Sequence, residues 1–384
     1  MALPPPSVVR LLHVSTLLYI ISLLATNTWC LADEPADALP LHVRRVLGPI
    51  PVYWTSLRGS TARQARQKHQ LSLVRHVQID AVGDDWEGFD RFVLHCGASK
   101  HVAVDGGREM AKEEVKRMHI RDKALGRELK HVREVSCLLS HVKAVRAAYD
   151  RGEQVALFIE DDAWFDYASV WPKTLPDILA SAPAGTKGVV LYNNHPYMAE
   201  VATALNVDFL PHASGATTSS MAYVLNRAGM AALLDQMYDG GIAALQKGKQ
   251  VFRFPLQWYF ADYYLYNAVG EGMAVWAQPL FVHDNSASTI EAANMDDEKY
   301  TTVFLGSAHA QLYLELRRQV SHLRREYGDT WGSQSRNLIH VPLSESAKSL
   351  LHPRTIRRIV QQVSREEGVS LWQDPGSDGT SDVV

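Results

Sequence analysis

The chain has 384 residues, 46% of them hydrophobic and 21% charged. That is enough for one large α/β domain or two smaller ones, and it excludes a disordered or fibrous protein. The net charge of -3 at pH 7, without a long basic run, argues against nucleic acid as a partner.

The chain opens on a predicted targeting segment over residues 1–32. Arg10 precedes an apolar run at residues 11–25, and Cys30-Leu31-Ala32 supplies small residues before the acidic Asp33-Glu34. The segment reads as a signal peptide cut at that point. Left uncut, residues 11–32 are about long enough to anchor the protein in a membrane. Either outcome places the remainder in the lumen of the endoplasmic reticulum or Golgi, or outside the cell. Cys30 falls in this leader, so Cys96 and Cys137 form either a lumenal disulfide or two free thiols. The 16 histidines are scattered, and no pair has the spacing of a zinc site.

Residues 33–48 read as a linker, and the fold is expected to begin at Pro49. Residues 50–55 suit a strand, broken at Leu57-Arg58-Gly59-Ser60 and followed by a basic helix over 61–71 that carries Arg63, Arg66 and Lys68. A helix start after a tight turn leaves first-turn N–H groups pointing outward, which is an anion-binding geometry. Arg63 there either meets a phosphate or lies on a solvated face. A second strand over 74–79 completes a βαβ opening and predicts a parallel sheet with right-handed crossovers. Residues 89–94 suit a further strand, whereas 106–127 are polar and charged and carry no assignment.

A helix is expected over 128–149, because Val132, Val135, Leu138, Leu139, Val142, Val145 and Tyr149 recur at spacings of three and four. Glu134, Leu138 and His141 share one of its faces. The next stretch is the most informative. Five apolar residues, Val155-Ala156-Leu157-Phe158-Ile159, have no polar alternation and read as a strand buried on both sides, as at the centre of an α/β sheet. The run ends on Glu160-Asp161-Asp162. Three adjacent carboxylates repel one another, so they are expected where the strand leaves the sheet and a divalent cation or a plain acidic turn relieves them. A Trp- and Pro-bearing helical segment over 167–182 and a strand over 187–192 follow. Ser214-Gly215-Ala216-Thr217-Thr218-Ser219-Ser220 then precedes the apolar Met221 to Leu225, and Asn226 caps a helix over 227–238. A last strand is expected over 273–282, running into His283. Helices are predicted over 307–327 and 344–367, with a disordered end over 374–384.

Several of these blocks, in this order, resemble glycosyltransferase family 25. They are Glu134-Val135-Ser136-Cys137-Leu138-Leu139-Ser140-His141, Leu157-Phe158-Ile159-Glu160-Asp161-Asp162, Ala222-Tyr223-Val224-Leu225 and Ala261-Asp262-Tyr263-Tyr264-Leu265. Leu57 with Arg63, and Ala81-Val82, are similar to its opening blocks, so the likeness spans about residues 49–290. Ser56 stands where that family usually has Asn, Arg133 and Ser136 where it has Gly, and Gly83 where it has an acidic residue.

The resemblance implies a GT-A-type nucleotide-sugar-binding fold over 49–300, with a mostly parallel sheet, and a helical C-terminal extension over 301–384. It also implies inverting transfer of a hexose, galactose foremost, from a UDP-sugar to a hydroxyl of a glycan or glycoprotein. In that reading Mn²⁺ or Mg²⁺ is held by Glu160, Asp161, Asp162 and His283. Arg63, Glu134, Ser140, His141 and Asp161 face the donor, and Asp262 is the general base. Two alternatives stay open: a lumenal relative without catalysis that acts in adhesion or scaffolding, and a metal-dependent phosphodiester or pyrophosphate hydrolase.

Overall fold

Runs of β-branched and aromatic residues set the strands, and stripes at three- and four-residue spacing set the helices. The computed structural model describes residues 38–82, 101–104, 109–111, 128–193, 201–202, 205, 207–212, 219–247, 253–254, 261–283, 298–327 and 353–368. The strands are β1 (Val52–Ser56), β2 (His76–Asp80), β3 (His101–Val104), β4 (Glu109–Ala111), β5 (Val155–Glu160), β6 (Ala163–Trp164), β7 (Gly188–Val190), β8 (Phe209–Pro211), β9 (Ala222–Asn226), β10 (Arg253–Phe254), β11 (Met273–Trp276) and β12 (Val282–His283). The helices are α1 (Ala38–Leu47), α2 (Thr61–Gln70), α3 (Glu128–Asp150), α4 (Leu175–Ala180), α5 (Arg227–Met237), α6 (Gly241–Gln246), α7 (Ala261–Val269), α8 (Glu298–Tyr327) and α9 (Pro353–Glu367). Two compact units emerge, Pro40–Ala310 and a second that takes in Gln311–Val384.

The first unit is an α/β fold built on a seven-stranded sheet in the order β2-β1-β5-β9-β7-β11-β8. The pairs β1–β2, β1–β5 and β7–β11 are parallel, whereas β9 runs against both of its neighbours and β8 against β11. Five strands therefore share one direction, and the mostly parallel sheet read from the sequence is correct in outline. As its unbroken apolar run demands, β5 sits inside the sheet, with Ala156, Leu157, Phe158 and Ile159 fully buried. Helices α3, α5 and α7 pack against one another, and α3 also packs on β1, β2 and β5. Tyr53, Phe158 and Tyr223 line up ring to ring across the core, with centroids 5.9 and 5.3 Å apart.

The helix caps follow the sequence closely. The Asn226 side chain accepts from the Gly229 N–H and so closes the first turn of α5. Glycine is required at 229 because a Cβ there would stand 2.3 Å from the Lys187 carbonyl oxygen. In the second unit, α8 and α9 are joined by polar contacts. The Tyr313 hydroxyl donates to Glu366 at 2.5 Å, and Arg317 ion-pairs with Glu366 and Glu367 at 2.9 and 2.8 Å.

Two expectations change, and one alternative left open for Cys137 is decided. The stretch read as a linker is helical over Ala38–Leu47, because Val43, Val46 and Leu47 form a buried stripe at helical spacing. The strand expected over 273–282 stops at Trp276, with Pro279 following, which cannot donate to a ladder. Its far end returns as β12, which pairs with β6 instead of the main sheet. Cys137 carries a free thiol. Cys96, the strand expected at 89–94 and the tail at 374–384 lie outside the described residues, as does the leader. Among the described residues no helix is long and apolar enough to cross a membrane.

Candidate functional site

From β1 the chain moves through α2 to β2 on one side, and it later adds β5 on the other side of β1. The order of strands thus reverses between β1 and β5, and crevices at such a switch point, outside the carboxyl ends of the strands, bind ligands. Thr55 lies opposite Glu160 in the ladder, so β1 delivers Ser56 and β5 delivers Glu160-Asp161-Asp162 to the same edge.

Helix α2 holds the acidic turn from below. Arg63, Gln67 and Gln70 recur at four and three residues and share a face. The Arg63 Nη1 donates to Asp161 Oδ1 at 3.2 Å and to Asp162 Oδ2 at 3.3 Å. The Gln67 amide donates to the Ala163 carbonyl at 2.6 Å, and Gln70 accepts from the Phe165 N–H at 3.2 Å. Sequence reasoning found Arg63 and passed over the two glutamines, although their spacing from it was legible.

Asp161 is buried and accepts a 2.6 Å hydrogen bond from Ser56 Oγ. Loss of hydration raises its carboxyl to about 6, against the opposing pull of Ser56 and Arg63. Asp162 is buried too, but the burial that pushes its carboxyl upward is outweighed by His283 and Arg63, and it sits below its ordinary value. The pairing of β12 with β6 sets His283 opposite Ala163, which brings its Nε2 to 3.1 Å from Asp162 Oδ2. The other oxygen of Asp162, Oδ1, is buried and has no hydrogen-bond partner among the described residues. Buried carboxylate oxygens are rarely left so, because an unpaired charge is costly to bury.

Glu160 keeps different company. Its Oε1 accepts from Ser220 Oγ at 2.7 Å and lies 3.3 Å from His141 Nε2. The other ring nitrogen of His141 lies 3.1 Å from the Tyr223 hydroxyl. The three carboxylates expected to share one metal are thus held by two separate sets of partners. Glu160 goes with α3 and β9, and Asp161 and Asp162 go with α2 and β12.

Asp262, at the start of α7, accepts from the Ser219 N–H at 2.8 Å and from its neighbour Tyr263 at 2.9 Å. Burial raises its carboxyl, against those two backbone donors. Ser219 has φ of 85°, a left-handed conformation that a serine adopts only under constraint, and Tyr266 helps fix it by donating to its carbonyl at 2.6 Å. The run Asp262–Ser219–Ser220–Glu160 therefore joins the expected base to the acidic triplet.

Ser140 is held by two backbone groups. Its hydroxyl accepts from the Val82 N–H at 2.8 Å and donates to the Ser136 carbonyl at 2.6 Å, so it pins the exit of β2 to α3. Glu134 lies on α3, outside the residues whose side chains are described. A scan of the chain against models of known protein families gives no match, and a search of curated proteins gives none.

Proposed function

We propose that the chain is an inverting, metal-dependent glycosyltransferase of GT-A type, which moves a hexose from a UDP-sugar to a glycan or glycoprotein hydroxyl in the secretory pathway. One observation carries the reading. Asp161 and Asp162, with Arg63 and His283, sit at the sheet's switch point, and one buried carboxylate oxygen there has no partner among the described residues. Carboxylate and imidazole donors suit Mn²⁺, with Mg²⁺ a harder alternative. Asp162 and His283 would hold the ion, with Asp161 on the ion or the ribose, and the ion would neutralise charge on the departing diphosphate. Glu160, expected from the sequence in this set, is left to its own partners.

Arg63, at the first turn of α2, would meet diphosphate oxygens once a cation had taken over part of its work on the aspartates. Inversion needs a base on the opposite face of the sugar. Asp262 fills that role, since burial strengthens it as a base and its backbone donors fix its direction. The acceptor oxygen bonds to the anomeric carbon as the bond to the diphosphate oxygen breaks, and the hydroxyl proton passes to Asp262.

The test is UDP release from a panel of UDP-sugars, with Mn²⁺ or chelator, beside the Asp162→Ala variant. Release from one sugar nucleotide that needs the metal and is lost in the variant is expected, and it names the donor. No release from any of them, together with no UDP binding by calorimetry, overturns the reading in favour of the non-catalytic relative.

A further inference from the structure

The first carboxylate of the triplet belongs to a second cluster that the transferase reading does not use as a metal site. Cys137 and His141 are four residues apart on α3, about one helical turn, so they leave the same face of the helix. Strand β5 brings Glu160 up to them. The Cys137 sulfur, a His141 ring nitrogen and a Glu160 carboxylate oxygen all lie within 4.8 Å of one another. We propose that Cys137, His141 and Glu160 form a site for a Zn²⁺-class transition metal, separate from the Asp161–Asp162 pair.

The donor set decides the metal class. Thiolate, imidazole and carboxylate are the three ligand types of zinc, and bonds of about 2.0 to 2.3 Å place tetrahedral ligand atoms about 3.3 to 3.8 Å apart. His141 Nε2 and Glu160 Oε1 already stand at 3.3 Å. The sulfur distinguishes this group from the all-oxygen coordination that Mg²⁺ prefers.

The surrounding bonds orient the ligands as they are oriented at such sites. With Nε2 toward the metal, His141 Nδ1 carries the proton and donates it to the Tyr223 hydroxyl at 3.1 Å. Ser220 donates to Glu160 at 2.7 Å and lies 3.9 Å from the Cys137 sulfur. The Glu160 side chain is 26% exposed, so an ion has a way in.

Charge supplies an independent reason. Asp161 and Asp162 share Arg63, whereas among the described residues no Lys or Arg ion-pairs with Glu160. Glu160 therefore brings a carboxylate to the group with no Lys or Arg beside it among the described residues. Metal entry replaces the S–H bond with an S–metal bond and releases one proton to solvent. The dipositive ion then balances one thiolate and one carboxylate, with no electron transferred.

The test uses the intact chain, stripped with chelator and titrated with Co²⁺ as a spectroscopic stand-in for zinc. A thiolate-to-cobalt absorption band in the near ultraviolet is expected, saturating at one ion per chain, displaced by Zn²⁺ and accompanied by release of one proton. Cys137→Ser should abolish the band, and Tyr223→Phe should weaken Co²⁺ binding about 10- to 100-fold, as loss of a group that orients a ligand does elsewhere. Circular dichroism shows whether each variant is folded, and His141→Gln serves as a second ligand variant. No band in the folded wild-type chain, or a band that persists in Cys137→Ser, overturns the site. The band should survive in Asp162→Ala, whose loss of UDP release reports on the transferase reading alone.

Discussion

His283 Nε2 lies 3.1 Å from Asp162 Oδ2 although 120 residues of chain separate the two, and a two-residue ribbon between β12 and β6 makes the meeting possible. The contact joins the last strand of the fold to the acidic triplet and keeps a buried carboxylate charged. His283→Ala removes an imidazole from the proposed ion site and one partner from Asp162. The expected result is Mn²⁺ binding weaker by at least tenfold, equal to about 1.4 kcal/mol. The chelated protein should also lose about 1 to 3 kcal/mol of stability, because a buried charge has lost a donor. Calorimetric titration with Mn²⁺ and urea unfolding read the two effects separately, and unchanged Mn²⁺ affinity excludes His283 as a ligand.

Asp161 and Asp162 give opposite pH signatures. Asp161 is raised from 3.8 to about 6, mainly by burial, so between those values the folded state holds a proton that the unfolded state has released. Its contribution makes stability fall as pH rises through that window, and the penalty is complete above about pH 6. Asp162 is lowered, because His283 and Arg63 outweigh the effect of its burial. It contributes stability above 3.8 that is lost as pH falls through its depressed value. Asp161→Asn should therefore flatten the stability profile of the metal-free protein between pH 4 and 6 without moving the acid limb. Mn²⁺, which needs the carboxylate, should bind the native protein more tightly at pH 7 than at pH 5. Thermal unfolding across pH, with and without the ion, measures both.

The central strand, the α2 opening, the long α3 and the Asn226 cap were legible because each is a local pattern: an unbroken apolar run, a tight turn, a 3.6-residue stripe, a capping side chain. The antiparallel insertion of β9 was not legible, since Ala222 to Leu225 has the same apolar character whichever way the strand runs. Nor was the division of the triplet. Adjacency in sequence suggested one metal for three carboxylates, but Glu160 ends the β5 ladder while Asp161 and Asp162 lie in the turn beyond it. The linker assignment failed because Pro and Ala obscured the stripe of Val43, Val46 and Leu47.

Ser56 stands where the resembled family has Asn, and here its hydroxyl donates to Asp161 Oδ2 at 2.6 Å. That bond opposes the effect of burial on Asp161. Ser56→Ala leaves the carboxylate with Arg63 alone among the described residues, so its titration should move above 6. The metal-free protein should lose about 1 to 3 kcal/mol at neutral pH. Titration of the Asp161 carboxyl followed by carbon NMR, beside urea unfolding, checks this; an unmoved midpoint assigns Ser56 no part in holding the charge.

Gly229→Ala tests the junction that carries β9 into α5. The added methyl would stand 2.3 Å from the Lys187 carbonyl oxygen, a backbone atom held by the Asn226 N–H at 2.9 Å. Because backbone has to move, the loss should reach about 1 to 3 kcal/mol, even though alanine is the better helix former. Urea unfolding of the variant should show a lower midpoint at an unchanged slope.

Arg63 separates holding the site together from reading the donor. Without ligand it is the cation shared by Asp161 and Asp162, at 3.2 and 3.3 Å, and all three side chains are mostly buried. Arg63→Ala leaves two adjacent carboxylates facing each other, and breaking a buried pair in this way costs about 3 to 5 kcal/mol. Mn²⁺ supplies the missing positive charge, so it should stabilise the variant more than it stabilises the wild type. Where Arg63 serves only the aspartates, UDP affinity at saturating Mn²⁺ should be the same in both proteins. Where it also meets the diphosphate, UDP binding should stay weaker by at least tenfold however much Mn²⁺ is added. The transferase reading requires the second outcome, measured by UDP titration of the Mn²⁺-loaded proteins.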